Sequence, residues 1–502
     1  MKWIFRALAA IGLIVIYSSF RHETPAAYSF SYENVLGTSY DLKVKALSEA
    51  HADAAESVSL SEIDRLSAIF SSYDPQSEFS RWQQTHQIPV KISAELFEVM
   101  EAYDSWTQQT RGALNPGAAA IINIWKEAAK KQQIPEKNQL SLAVQKTNSS
   151  HWLLNRAEQT ATHLDNSPLV MNSFVKSYII QKVAAKLMAL NGISGVMVNI
   201  GGDIVTKGDM TERISIVDPL ADAENDRKLT HLNIRQKAIA TSGNYRRGFK
   251  INNNWYSHII DARTGQPAAE IISATVLNDD ASTAGALATA FNILTPEEAK
   301  TLADKYPGTE YLIVTREGKQ IKSAGWDSYN VKDLIVSSTS LSPMQKNWNK
   351  DFEVAVSLEL TRFEGRSRRP FVAVWIEDSN KETVRTIALW FNKPRWLPDL
   401  KEWFRKNKDR YQNGSQDVYS ISSATRAPGS YTLKWDGKNE QGEYVKADTY
   451  TVYIEVVREH GGYELLKQVI ECKKKPQQFT LKGSEELNGA TVEYKKIETA
   501  TN

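Results

Sequence analysis

The sequence predicts two unlike domains, an α+β unit followed by an all-β sandwich. Three observations carry this. Residues 28–335 mix runs of helical spacing with short apolar runs that read as strands. The segment Val336–Asp351, "VSSTSLSPMQKNWNKD", is polar, serine-rich and interrupted by Pro343. Beyond it the apolar residues alternate, as in "FEVAVSLEL" at Phe352–Leu360. A chain of 502 residues is also too long for one ordinary core. The expected organisation is a leader at 1–27, a first domain at 28–335, a linker at 336–350 and a sandwich at 351–495.

The leader "MKWIFRALAAIGLIVIYSSF" sets Lys2 and Arg6 before an apolar run, Ala7–Phe20. That run is short for a membrane span and reads as an export signal, with "TPAA" (Thr24–Ala27) near the cleavage point. The alternative is an uncleaved anchor, which would be the chain's membrane contact. No cysteine follows to carry a lipid. The expected location is the periplasm or the outer face of the inner membrane.

In the first domain, Leu60, Ile63, Leu66 and Phe70 predict a helix within Ser59–Tyr73. Ser93–Trp106 repeats that spacing, with Ser93 as N-cap. A third helix is expected over Lys176–Leu190, stopped by Asn191-Gly192. Gly195–Ile200 and Ile272–Asn278 read as strands. "ASTAGALATA" (Ala281–Ala290) opens a helix that Ser282 or Thr283 can cap. In the sandwich, "FVAVWIE" (Phe371–Glu377) and "YTVYIEVV" (Tyr450–Val457) are strands. "WDGKNEQGEYV" (Trp435–Val445) carries the turn residues between strands, and repeated short strands with such turns predict the sandwich.

A net charge of +2 gives no reason to expect a nucleic-acid partner. The basic clusters "GRSRR" (Gly365–Arg369) and Lys473–Lys475 read as solvated surface. The single cysteine, Cys472, permits neither an internal disulfide nor a cysteine metal site, and is expected to be a buried small hydrophobe.

Four stretches have chemical character, and each has a plain structural alternative. "NIGGDIVTKG" (Asn199–Gly208) places paired glycines after a strand, where backbone can approach a ligand or simply turn. "AIATSGNYRRGF" (Ala238–Phe249) offers Thr241, Ser242 and Arg246 to a phosphate, or is a polar loop. "YSHIIDARTGQP" (Tyr256–Pro267) holds His258, a candidate general base, or a structural histidine. The start of the Ala281–Ala290 helix presents N–H donors suited to phosphate.

In order and spacing, these stretches resemble the FAD:protein FMN transferase (ApbE-like) family. Its Gly-Gly-Asp, Ala-Thr-Ser-Gly-x-Tyr, His-Ile-x-Asp-Pro-x-Thr-Gly and Ala-Asp-Ala-Leu-x-Thr-Ala runs match Asn199–Ala290 closely. Upstream, "LGTSYDL" (Leu36–Leu42), "SSYDPQSEFSRW" (Ser71–Trp82) and "GALNPGAAAIINIW" (Gly112–Trp125) are similar to further family motifs. The resemblance implies an exported flavin-binding enzyme that uses FAD and Mg²⁺. It attaches FMN to a Ser or Thr of an exported acceptor protein and releases AMP. By the same resemblance, Tyr73, Ser77, Glu78, Lys176 and Tyr178 belong to the cofactor site. So do Gly201, Gly202, Asp203, Thr241, Ser242 and Tyr245. His258 is the implied base or phosphate contact, supported by Asp261 and Arg263, and Thr289 the implied metal ligand.

The chain departs from the family at three places. The metal-ligand aspartate one turn before Thr289 is Gly285. The last residue of the family's Lys-Gly-Tyr-x-x-Asp is Gln181, within "KSYIIQ". The proline of the histidine motif is Ala262. Asp279 or Asp280 remains as a carboxylate near the helix, with Asp280 the candidate substitute ligand. These losses leave two other readings open: an impaired FAD-binding protein that engages a partner through its second domain, or an FAD pyrophosphatase.

The segment Ser422–Glu455 resembles the immunoglobulin-like module of flagellar hook-capping proteins and a domain of unknown function fused behind this flavin family. "EELNGATVEY" (Glu485–Tyr494) loosely resembles the family's acceptor sequence, with Thr491 as acceptor. Its plainer reading is a glycine turn entering the last strand.

Overall fold

The computed structural model describes residues 24–331, 348–391, 394–412 and 429–497, apart from 227, 246 and 474. Most of the leader (1–23), most of the linker, and Arg246 therefore lie outside the described residues. No helix among the described residues is long and apolar enough to cross a membrane.

The first domain is α+β. Its centre is an antiparallel sheet of β1 (Ala26–Val35), β2 (Thr38–Ala46), β3 (Ile193–Ile200) and β4 (Asp203–Gly208). It continues through β5 (Ala238–Gly243), β6 (Ile271–Asn278), β7 (Glu310–Thr315) and β8 (Gln320–Lys322). The strands lie in sequence order from β8 to β1. A ninth strand, β9 (Ser367–Arg368), pairs with β1 and comes from beyond the linker.

One face of the sheet is covered by three helices, α1 (Glu49–Phe70), α3 (Val175–Met188) and α4 (Ala281–Phe291). Between α1 and α3 in sequence lies α2 (Ala94–Gln109), capped by Ser93 as expected. The helix α1 starts ten residues before its expected beginning at Ser59, because Ser48 caps it and Ala52 and Ala55 bury the early turns. Alanines make helix readily without the large apolar residues that mark an amphipathic pattern. The other face of the sheet buries Met197, Ile204, Ile239, Leu312 and Trp326 beneath the hairpin Thr211–Ile216 and Thr230–Arg235.

The second domain has two four-stranded antiparallel sheets around one core that includes Val354, Val356, Val374, Val452 and Ile454. Trp348 lies in the stretch expected to be linker, yet it is buried in this core. An added Cβ on Gly437 (φ +77°) would lie 2.0 Å from its ring, which explains the glycine of the Trp-Asp-Gly turn. Cys472 is buried, and burial pushes its thiol well above the ordinary range. A helix at Lys401–Gln412, absent from the sequence reading, sets Trp403 beside Phe371, Ala373 and Trp375 on the outer face of one sheet. Thr491 sits mid-strand, paired with Ser357 on one side and Thr480 on the other.

The "GRSRR" cluster is solvated surface only in part: Gly365 and Arg366 are exposed, whereas Arg368 and Arg369 dock against the first domain. Arg366 pairs with Asp64 of α1, and Arg368 with Glu56 at 2.9 Å while stacking over the Tyr32 ring. Arg369 is enclosed between Glu33 at 2.6 Å and Asp41 at 2.8 Å. Periodicity could not reveal this, because a docking patch and a solvated patch have the same composition. Elsewhere Lys434 pairs with Asp222 at 2.7 Å, and the Glu224 N–H donates to the Thr432 carbonyl.

Candidate active site

The paired glycines form the turn between β3 and β4. Gly201 and Gly202 have φ of +57° and +93°, a region other residues enter only with strain. The Gly201 N–H donates to the Ser39 carbonyl, and the Gly202 N–H to Asn199 Oδ1 at 3.0 Å. A Cβ on Gly201 would lie 2.8 Å from the Thr38 methyl, so the "LGTS" motif packs directly against this turn. Lys176 from α3 reaches it, with Nζ 3.4 Å from the Gly201 carbonyl and 3.4 Å from Asp203. Asp203 is buried and accepts from the Ser177 hydroxyl at 2.7 Å.

Ser177 also explains Gly285. The two helices α3 and α4 pack closely, and an ideal Cβ on Gly285 would lie 2.2 Å from Ser177 Oγ and 2.9 Å from its Cβ. Position 285 therefore has no room for an aspartate while position 177 is serine. In the family motif the residue after the lysine is glycine, and here that small residue and the larger one have changed places.

Thr289 points its hydroxyl toward backbone carbonyls, 3.0 Å from Ser173 and 3.1 Å from Gly285, with Ser242 Oγ at 3.2 Å. Thr241 pairs with the Thr275 hydroxyl at 2.9 Å. The ring of Tyr245 packs over Gly243.

The helix α4 is capped by Asp280, not by Ser282 or Thr283. Its carboxylate accepts from the Thr283 N–H at 2.6 Å. Gln181 holds the same helix start by donating to Asp280 and accepting from the Ala281 N–H. An amide suits that place because it has both a donor and an acceptor, whereas an aspartate would face a second carboxylate. Asp279 is paired with Lys237 at 2.6 Å.

His258 lies at the bend between two hairpins, one of Gly248–Ile251 and Asn254–Ser257 and one of Ile260–Asp261 and Gln266–Pro267, with Nδ1 2.9 Å from the Arg247 carbonyl. Burial, followed by the positive charge of Arg247, holds its pKa below the ordinary value. Asp261 is taken up by Arg263 through both carboxylate oxygens, and Arg263 also faces Glu298 at 3.4 Å. Among the described residues no hydrogen bond joins His258 to this pair. The Thr264-Gly265 turn is anchored by Trp125, whose indole N–H donates to the Gly265 carbonyl.

The upstream residues divide. Tyr73 is 79% exposed, and its hydroxyl accepts from Asn172 at 3.0 Å. Ser77 is buried as the N-cap of the short helix Glu78–Gln83, and Glu78 accepts from the Ser93 N–H. Tyr178 donates to Glu98 at 2.7 Å, and burial with that carboxylate pushes its phenol upward. Ser77, Glu78 and Tyr178 thus spend their polar atoms on holding helices together.

The residues do not fit the Mg²⁺ site that the resemblance implies. Mg²⁺ takes one or two carboxylates along with phosphate oxygens and water. Asp203, the carboxylate beside the glycine turn, is already engaged by Ser177 and Lys176. Asp280 and Thr289 stand at opposite ends of α4, about 13 Å apart along its axis, and cannot share a cation. Sequence reasoning missed Ser177 and Asn199. The clue was present: the substitution of serine for the motif glycine accompanies the substitution at position 285.

Comparison with known proteins agrees with this architecture. Residues 36–313 match the model of the ApbE family, and residues 352–489 match that of the family described as "Predicted periplasmic protein (DUF2271)". The chain is 29% identical over 343 residues to the FAD:protein FMN transferase of Haemophilus influenzae, covering 64% of this chain and 97% of that protein. It is 28% identical over 300 residues to the enzyme of the same name from Escherichia coli K12, covering 57% and 84%. Among solved structures, the ApbE protein of Thermotoga maritima superposes with a TM-score of 0.55 at 22% identity. That match covers 61% of this chain and all of the other. The flavin transferase ApbE of Vibrio cholerae gives a TM-score of 0.51 at 23% identity, with the same coverage. The first domain thus has a recognised fold, and the chain is a member of the ApbE family.

Proposed function

We propose that this chain is an exported FAD:protein FMN transferase. A Ser or Thr hydroxyl of an exported acceptor protein attacks the phosphorus on the FMN side of FAD. The new phosphoester bond forms as the bond to the AMP oxygen breaks, AMP departs, and the hydroxyl proton passes to a base. The observation that carries this reading is the convergence of separate motifs. Thr38 and Lys176 contact the Gly201–Asp203 turn, Ser242 contacts Thr289 on α4, and Ser177 of α3 links the two groups by lying between Asp203 and Gly285.

Phosphoryl transfer depends on positioning and on neutralising charge. The Gly201–Gly202 backbone would approach the pyrophosphate, and the Lys176 ammonium would offset its charge. His258, whose pKa burial lowers, is the proposed proton acceptor. Tyr73, Thr241 and Tyr245 are proposed contacts for the flavin and nucleotide, while Asp261 and Arg263 brace the hairpin. The export reading rests on the leader and on the periplasmic family matched by the second domain.

A second reading has its own support. Ser177 occupies the space of the missing carboxylate, which favours a protein that holds FAD without transferring FMN. Incubation with FAD, Mg²⁺ and an acceptor domain distinguishes the readings. In-gel flavin fluorescence on the acceptor together with AMP release supports transfer. Bound FAD with neither product rejects transfer and supports the second reading. AMP and free FMN without labelled acceptor indicate pyrophosphatase action.

A further inference from the structure

We propose that Arg369, a residue of the second domain, positions the Gly201–Gly202 turn through Asp41 and Asn199. The contacts form one continuous chain. Arg369 Nη1 donates to Asp41 Oδ1 at 2.8 Å. The other oxygen of Asp41 accepts from Asn199 Nδ2 at 3.2 Å. Asn199 Oδ1 in turn accepts from the Gly202 N–H at 3.0 Å. Asp41 and Asn199 are register partners on β2 and β3, so the sheet itself brings them face to face. Asn199 is 1% exposed and Asp41 9%, which leaves little water to substitute for a lost partner.

The logic is one of orientation. A carboxylate only accepts, so Asp41 obliges Asn199 to present its NH₂ group on that side. The amide oxygen is then directed at the Gly202 N–H, which fixes the turn. Asp41 can remain a buried carboxylate because Arg369 supplies its counter-charge, with Glu33 sharing the same guanidinium at 2.6 Å and Ser31 donating to Asp41 at 2.8 Å. Without the guanidinium the carboxylate is uncompensated, and its rearrangement frees the Asn199 amide to rotate. The second domain thereby acquires a role in the first domain's site, although none of its atoms needs to touch a ligand. Arg369 is a positioning residue. The consequence for FAD rests on the proposed function, whereas the consequence for the turn does not.

The test uses the full chain and two readouts. Hydrogen exchange of the peptide spanning Asn199–Asp203, measured without ligand, reports the turn. Flavin fluorescence titration reports FAD affinity. Arg369→Ala is expected to speed exchange in this peptide about tenfold and to weaken FAD binding about five- to tenfold. Arg369→Lys, which keeps a cation, is expected to show a smaller change in both and covers the case in which the alanine variant does not fold. Arg366→Ala removes the Asp64 ion pair of the same interface and serves as control. It is expected to leave both readouts unchanged. Unaltered exchange in folded Arg369 variants overturns the proposal, as does an equal change in Arg366→Ala. Faster exchange in a protein that shows no FAD binding even as wild type sustains the positioning role and rejects the proposed function instead.

Discussion

The exchange between positions 177 and 285 is directly testable. Gly285→Asp alone places a Cβ 2.2 Å from Ser177 Oγ, between two buried helices. Overpacking of this kind costs about 1–3 kcal/mol, and burying a carboxylate without partners adds to it. Ser177→Gly alone loses the hydrogen bond to Asp203, about 1.5–3 kcal/mol for a bond to a charged group. It also introduces a helical glycine, about 1 kcal/mol. In the double variant the glycine makes room for the aspartate, so the steric part of the first cost disappears. The double variant should therefore be more stable than the sum of the single effects by about 1–3 kcal/mol. Chemical denaturation of the four proteins measures this coupling. Titration with Mn²⁺, followed by electron paramagnetic resonance in the presence of FAD, tests the chemistry. Only the double variant is expected to gain cation affinity. A cycle that closes to within about 0.5 kcal/mol would refute the steric argument. Equal Mn²⁺ affinity in the wild type would show that the native residues already hold a cation.

Three further outcomes follow from the same structure. Gly437→Ala combines a left-handed backbone with a Cβ 2.0 Å from the Trp348 ring, and should destabilise the second domain by about 2–4 kcal/mol in denaturant unfolding. Burial pushes the Glu33 carboxyl up to about 7, against the pull of Arg369, from an ordinary value of 4.5. The folded state then holds the extra proton between those values, so stability falls as pH rises through that window, and Glu33→Gln should flatten the slope of the thermal midpoint there. His258 has a lowered pKa when folded, so its contribution is complete above about pH 6.5 and is lost on acidification below it. His258→Gln should weaken that acid dependence in thermal melts, and an unchanged slope argues against a lowered imidazole pKa.

Much of the first domain was legible because its elements carry strong periodic signals. Ser93 caps its helix, the strand at Ile193–Ile200 follows its apolar run, and the helix after Asp280 starts within a residue of its expected position. The motifs could be recognised because a left-handed turn demands glycine, as at Gly201 and Gly202. What stayed hidden depends on contacts between distant segments. Nothing local to Gly285 indicates that Ser177 fills its space from 108 positions away. Nothing local to Arg369 distinguishes a clamp on Glu33 and Asp41 from a solvated charge. The cap at Asp280 was missed because Ser282 and Thr283 are equally good capping residues by type, and only the backbone geometry separates them.

The pairing of β9 with β1 has a consequence for how the chain is made. β1 lies close to the amino terminus, whereas its outer neighbour is 341 positions later, counted from Ala26 to Ser367. During synthesis Tyr32 and Glu33 lack this edge partner, and Glu33 and Asp41 lack their guanidinium, until the later segment arrives. An open edge of this kind invites pairing with other chains. Truncation at the linker would make that exposure permanent. Pairing at that part of the edge, and the counter-charge for the buried Glu33 and Asp41, therefore wait on a segment of the second domain.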